Sequence, residues 1–206
     1  MEQNIPQPLP GLFYERPTLE LAGELLGCLL IKQSSEGLAA GYIVETEAYI
    51  GPGDKAAHSY NNRRTKRTEI MYHQSGLAYT YVMHTHCLFN VVSGGKGHPE
   101  AVLVRAIEPI IGLDLMSSRR LGHIGVNLTN GPGKLTKAMG ISMEDYGHDL
   151  QSPPLFIARG RTPDSISAGK RIGIENSGEA REYPWRFWIT GNPFVSRHQK
   201  GEELRK

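Results

Sequence analysis

In the stretch IVETEAYIGPGDKAAHS, residues 43–59, two carboxylates stand two residues apart in a run that otherwise reads as a strand. Strand side chains alternate between faces, so Glu45, Glu47 and Tyr49 share one face while Val44, Thr46 and Ala48 share the other. Carboxylates buried without partners are costly, whereas on a working face they can take a proton from water. His58 follows beyond a Gly-Pro-Gly loop that can fold it back toward the strand. A carboxylate, an aromatic plate and an imidazole together hold a planar ligand and activate a water beside it.

Other residues bear on the same chemistry. In YTYVM, alternation puts Tyr79 and Tyr81 on one face, either as core packing or as further plates. Asn90, in FNVVS, is an amide in a strand and must find partners. Arg105, in VLVRAIEP, is a charge in an apolar strand that needs a carboxylate; Glu45, Glu47 and Glu108 are the partners available. His84 and His86 form a two-ligand pair with no third ligand at familiar spacing, so no metal and no cofactor are expected. There is no GxSxG elbow, no GxxxxGK[ST] loop and no GxGxxG after a strand. NGPGK offers backbone N–H groups and Lys134 to a phosphate at a helix start. The run NNRRTKRT crowds Arg63, Arg64, Lys66 and Arg67 together, as a solvated face or as a phosphate-tracking surface.

The elements that must position these residues follow from pattern. TLELAGELLG reads as a helix over 18–27 with Thr18 as N-cap, followed by a strand over Cys28–Lys32. LAAGYIVETEAYI is a long strand, and residues 66–73 hold a short helix. LAYTYVMHTHCLFNVVS is a hairpin with a tight tip at His84 and Thr85. AVLVRAIEP is a strand, IIGLDLMSSRRL a helix, and GPGKLTKAMGI a Gly-Pro turn opening another helix. Strands are expected at LFIAR, RIGI and RFWIT. No repeat and no linker divides the chain. The expected class is α+β: a single mixed domain over 12–200 with a curved, mostly antiparallel sheet, peripheral helices and a protruding hairpin. Tails flank it at 1–11 and 201–206.

The 206 residues are enough for a real core without a disulfide or metal staple. Cys28 and Cys87 both sit in apolar settings and read as free thiols, which suits a reducing cytoplasm. Hydrophobic residues make up 39% and no apolar run reaches the length of a membrane span. The polar, proline-rich start lacks a secretory pattern. A formal charge of +2 says little about partners.

VETEAYIGPGDKAAHS, the YTY hairpin with FNVVS, VLVRAIEP, NGPGKLTKAMGI and RFWITGNPFVS occur in the order seen in the alkyladenine (3-methyladenine) DNA glycosylase family. From residue 12 to 197 the chain resembles bacterial members of that family. The resemblance implies a monofunctional enzyme that flips alkylated or deaminated purines out of duplex DNA and hydrolyses the N-glycosidic bond, leaving an abasic site for base excision repair. It implies Glu47 as the base that activates water, with Arg105 and the backbone near Ile189 holding that water. Tyr49, His58 and Tyr81 match the residues that sandwich the base, and Asn90 the amide that disfavours the amino group of guanine. The hairpin, with Tyr79, Met83 and His84, and the cations Arg63, Arg64, Lys66, Arg67 and Lys134 are expected against DNA. The tip is one residue shorter than the family's, which has a tyrosine wedge; His84 takes that role here, with Met83 as the alternative. The implied protein is a cytoplasmic, nucleoid-associated monomer with damaged duplex DNA as partner, no membrane and no obligate protein partner. Competing readings are a non-catalytic damage-binding protein on the same fold and a nucleosidase.

Overall fold

The computed structural model describes residues 6–197 and 202–204. In chain order its strands are β1 (Leu29–Ser34), β2 (Gly37–Tyr49), β3 (Ala78–Met83), β4 (His86–Ser93), β5 (Glu100–Ile111), β6 (Leu155–Ala158), β7 (Ile166–Gly169), β8 (Arg186–Ile189) and β9 (Glu202–Leu204). They pair antiparallel in the order β3-β4-β5-β2-β8-β7-β9, with β1 pairing β2 and β6. The α+β class with a mostly antiparallel sheet is as expected.

β2 is the axis of the sheet. Its first half pairs with β1, its second half lies between β5 and β8, and register shifts occur around Gly41 and Glu45. Such irregularities bend a strand and increase its twist. One face of β2 carries Val44 and Ala48 into the main hydrophobic core, where the Thr46 hydroxyl donates to the Ala22 carbonyl at 2.8 Å. The opposite face carries Glu45, Glu47 and Tyr49.

The helices are α1 (Gly11–Tyr14), α2 (Thr18–Glu24), α3 (Leu113–Arg119) and α4 (Pro132–Met139). α2 stops short of the expected Gly27 because that residue turns left-handed, at φ +85°, and passes so close to the Arg161 carbonyl that a Cβ would lie 2.1 Å from it. Proline opens α4 and Gly140, at φ +72°, closes it. Gly133 in its first turn lies on His86, leaving no room for a Cβ, so the helix braces the β3–β4 hairpin beside its tip.

Several expectations are corrected. Residues 171–174, RIGI, are a loop and the strand lies earlier, at β7, because Arg171 and the Ile172 amide turn inward to carboxylates. Residues 69–72 form a single 3₁₀ turn. The expected N-terminal tail is docked from residue 8: Pro8 bridges Ala158, the Leu9 amide donates to the Ile157 carbonyl, and Leu9 is buried. At the other end Glu202–Leu204 pairs with β7 as an edge strand where a tail was expected. Residues 1–5, 201, 205 and 206 of those tails lie outside the described residues.

Candidate active site

A cavity of about 220 Å³ opens beside the second half of β2, far more than the 10–15 Å³ or so that one water needs. Tyr49 and Arg105 line it from β2 and β5, Tyr79, Tyr81 and Met83 from β3, and Asn90 from β4. His58 enters from the loop after β2. The loop Ile172–Ser177 forms a further wall.

Glu47 lies one layer behind this cavity and is fully buried. Its partners belong to the walls: the Tyr49 hydroxyl donates at 2.8 Å, the Ile172 amide donates at 2.8 Å, and Arg105 Nη1 lies 3.2 Å away. Each contact treats Glu47 as an acceptor, the role of an ionised carboxylate. Glu45 lies deeper. It accepts from Arg105 Nε at 2.8 Å, Arg186 Nε at 2.7 Å, and the amide and hydroxyl of Ser196 at 2.6 and 2.9 Å. Arg105 therefore pairs with both strand carboxylates. Glu108 pairs with Arg161 and with Asn192 instead. Burial opposes the Arg105 charge, yet Glu47 and Glu45 beside it raise its pKa above the ordinary value.

The aromatic groups form a connected set. The His58 ring meets Tyr81 edge-on at 4.6 Å between centroids, and Tyr79 lies 5.4 Å from Tyr81. Burial, with Arg67 and Arg63 nearby, lowers the His58 pKa to about 4, so the imidazole is neutral at pH 7. Burial and then Glu47 raise the Tyr49 hydroxyl well above its usual value, and the same causes, in the same order, raise Tyr81 to about 12. Asn90 donates from Nδ2 to the Tyr79 carbonyl at 3.0 Å, which fixes the amide in the cavity wall.

Tyr79 is the first correction among the site residues. The resemblance sets it against DNA, but it is buried in the cavity wall with its hydroxyl 2.7 Å from His58 Nδ1, so it supports that ring. Ile189 is the second. It pairs with Ile166 and packs in the core, away from the cavity; the backbone beside Glu47 is that of Ile172.

Sequence reading missed the clamp behind the cavity. Arg171 has no exposed side-chain surface, grips both oxygens of Asp54 at 2.6 and 2.8 Å, and donates to the Ala48 and Ala180 carbonyls. Its guanidinium also lies between the rings of Tyr49 and Trp185, at 4.7 and 5.0 Å. Asp54 belongs to the loop that carries His58, and Arg171 adjoins Ile172. One ion pair thus holds two walls and the back of the Tyr49 plate. Sequence offers little signal for Arg171, which follows Lys170 in a stretch that already carries Arg159, Arg161 and Asp164.

The basic run lies at the surface beside the mouth. Arg63, Lys66 and Arg67 are exposed and form no ion pair among the described residues, and Arg67 stands 5.6 Å from the Tyr81 ring. Arg64 is engaged by both oxygens of Glu69 and lies over Tyr72. Lys134 donates to Asn130 at 2.7 Å. At the hairpin tip, Met83 is 44% exposed and lines the cavity mouth, while His84 and Thr85 form a two-residue turn at φ +46° and +70°. Both central residues at positive φ make a tight hairpin turn that normally favours Asn-Gly. Among the described residues no group of His, Cys, Asp and Glu side chains could hold a metal, and no helix is long and apolar enough to cross a membrane.

The sequence profile of the family described as Methylpurine-DNA glycosylase (MPG) matches residues 12–193. A protein of Bacillus licheniformis is 67% identical over 191 residues, covering 93% of this chain and 97% of the relative. One from Bacillus subtilis is 63% identical over 190 residues, covering 92% and 97%. One from Listeria monocytogenes (serovar 1/2a) is 48% identical over 189 residues, covering 91% of each. All three carry the name "Putative 3-methyladenine DNA glycosylase".

Proposed function

Because this chain belongs to the methylpurine-DNA glycosylase family, we propose that it excises damaged purines from duplex DNA as a monofunctional glycosylase. The nucleotide swings out of the stack, its base enters the cavity between Tyr49, His58 and Tyr81, and water cleaves the bond to the sugar. The single observation that carries this reading is the position of Glu47. It is a buried carboxylate whose donors come from the cavity walls, directly behind the space the base would fill.

In the reaction the bond between the base nitrogen and C1′ breaks with its electron pair leaving on the base. The sugar takes on oxocarbenium character, which the negative charge of Glu47 stabilises. The water oxygen bonds to C1′ and its proton passes to Glu47. An alkylated, cationic purine leaves as a neutral base and stacks well on electron-rich rings. Asn90, fixed by its bond to the Tyr79 carbonyl, supplies a polar wall against the amino group of normal guanine. Among the described residues lining the cavity none is lysine, in keeping with hydrolysis by water in place of an amine that would also open the sugar.

Duplex oligonucleotides that each contain one defined lesion, incubated with the protein and then treated with alkali, test the reading. Strand scission at the lesion only after alkali is expected. Scission without alkali would mean a lyase, and tight lesion binding with no abasic site would mean a non-catalytic binder.

A further inference from the structure

We propose that Glu45, which does not line the cavity, is a positioning residue: it holds the cations that face Glu47 and so leaves Glu47 free to take a proton from water. The inference rests on the reading of Glu47 as that water's base. Among the described residues five groups face Glu47. They are the hydroxyl of Tyr49 from its own strand, the Tyr81 hydroxyl from β3, Arg105 from β5, Arg186 opposite it in register on β8, and the Ile172 amide. Of these only Arg105 and Arg186 are charged at neutral pH, and both direct Nε to the same atom, Oε1 of Glu45, at 2.8 and 2.7 Å.

The division of labour is visible in the donors. Glu45 accepts from two guanidinium groups, a backbone amide and a hydroxyl. Four donors fill the roughly four acceptor positions of a carboxylate, so Glu45 has none left to offer a water. Glu47 has two neutral donors at 2.8 Å and a guanidinium nitrogen at 3.2 Å. Without Glu45, the strongest bond of Arg105 would be available to Glu47, and Glu47 would be held as Glu45 is now. Two carboxylates on one strand face thus have opposite duties: one anchors the cations and the other does the proton transfer.

The test is single-turnover excision of hypoxanthine from duplex DNA across pH 4–9. It compares the parent with Glu45→Gln, with the charge-balanced double variant Glu45→Gln/Arg186→Met, and with Glu47→Gln. The double variant removes one carboxylate and one guanidinium together, which avoids leaving an uncompensated buried charge, and it carries the test if Glu45→Gln does not fold. The expected result is excision at pH 7 slowed about tenfold or more, lesion-DNA affinity close to that of the parent, and the acid limb of the rate profile moved down by about one pH unit. A folded Glu45 variant with the parent's rate or an unmoved acid limb, beside an inactive Glu47→Gln, overturns the role of Glu45 alone. Retained excision by Glu47→Gln overturns the reading of Glu47 and this inference with it.

Discussion

The hydroxyl of Tyr79 meets Nδ1 of His58 at 2.7 Å. Burial holds that phenol protonated far beyond neutral pH and holds the imidazole neutral. A phenol is a stronger donor than a neutral imidazole N–H, so Tyr79 donates, Nδ1 accepts, and Nε2 keeps the proton. His58 therefore presents a fixed tautomer. In Tyr79→Phe the two tautomers should mix, visible in the ¹⁵N spectrum of the ring, and excision should fall by up to about tenfold, the worth of one hydrogen bond.

The same histidine gives stability a pH dependence. Its native pKa of about 4 lies below the unfolded value of about 6.5. Between those values the unfolded chain binds more protons than the native one, so stability rises with pH across the window and levels off above it. Below about pH 4 both states are protonated and the full cost of charging the buried ring is felt. His58→Gln should flatten the rise in melting temperature between pH 4.5 and 6.5; an equally steep rise in that variant would refute the assignment.

Glu47→Gln retains size and hydrogen bonding but loses the charge and the base. Excision should fall by at least about a hundredfold, the lower end for removal of a general base. Lesion-DNA binding should be retained or tightened, since the flipped complex forms without reacting. Rates measured with enzyme in excess over substrate separate the two effects.

Neutralising Arg63, Lys66 and Arg67 together should flatten the dependence of DNA affinity on salt, by about 0.9 in the log–log slope for each phosphate left without its cation. Arg64→Gln alone should change the slope little, because that guanidinium is already engaged by Glu69. An unchanged slope in the triple variant would mean that the run is only a solvated face.

The hairpin tip tests the filling of the hole left by the flipped nucleotide. His84→Ala should lower the flipped fraction, reported by a fluorescent base analogue, and leave excision from single-stranded substrate unchanged. If Met83→Ala does this and His84→Ala does not, the wedge is the residue at the cavity mouth. Thr85→Gly should stabilise the protein by about 1 kcal/mol in denaturant melts, because a β-branched residue at φ +70° is strained.

Alternation along a strand is a local rule, and it carries Glu47, Tyr49, Tyr81 and Arg105 onto the faces where the structure has them. It cannot carry Ile172–Ser177, a wall made of loop with no period to read, nor the pairing of Asp54 with Arg171, which lie 117 residues apart. Ile189 is misplaced because the resemblance points to a backbone contact, and the backbone group beside Glu47 belongs to the loop at Ile172, which no strand pattern marks. Tyr79 is misplaced because alternation gives its face but not its depth. Gly27 shortens a helix whose apolar pattern runs on, since close approach to the Arg161 carbonyl is a tertiary fact.

The anchor of Glu45 has a consequence for how the protein is made. Its partner Arg186 lies 141 residues further along and Ser196 151 residues further. At about 5–20 residues per second, roughly 7–28 s of synthesis separate the two halves of the pair. During that interval β2 exists with a carboxylate destined for burial and only Arg105 to meet it. Until residues 186–196 have emerged, two of the groups that hold Glu45, the Arg186 guanidinium and the Ser196 amide, are absent, so the buried ion pair beneath the site is completed only by the last part of the chain.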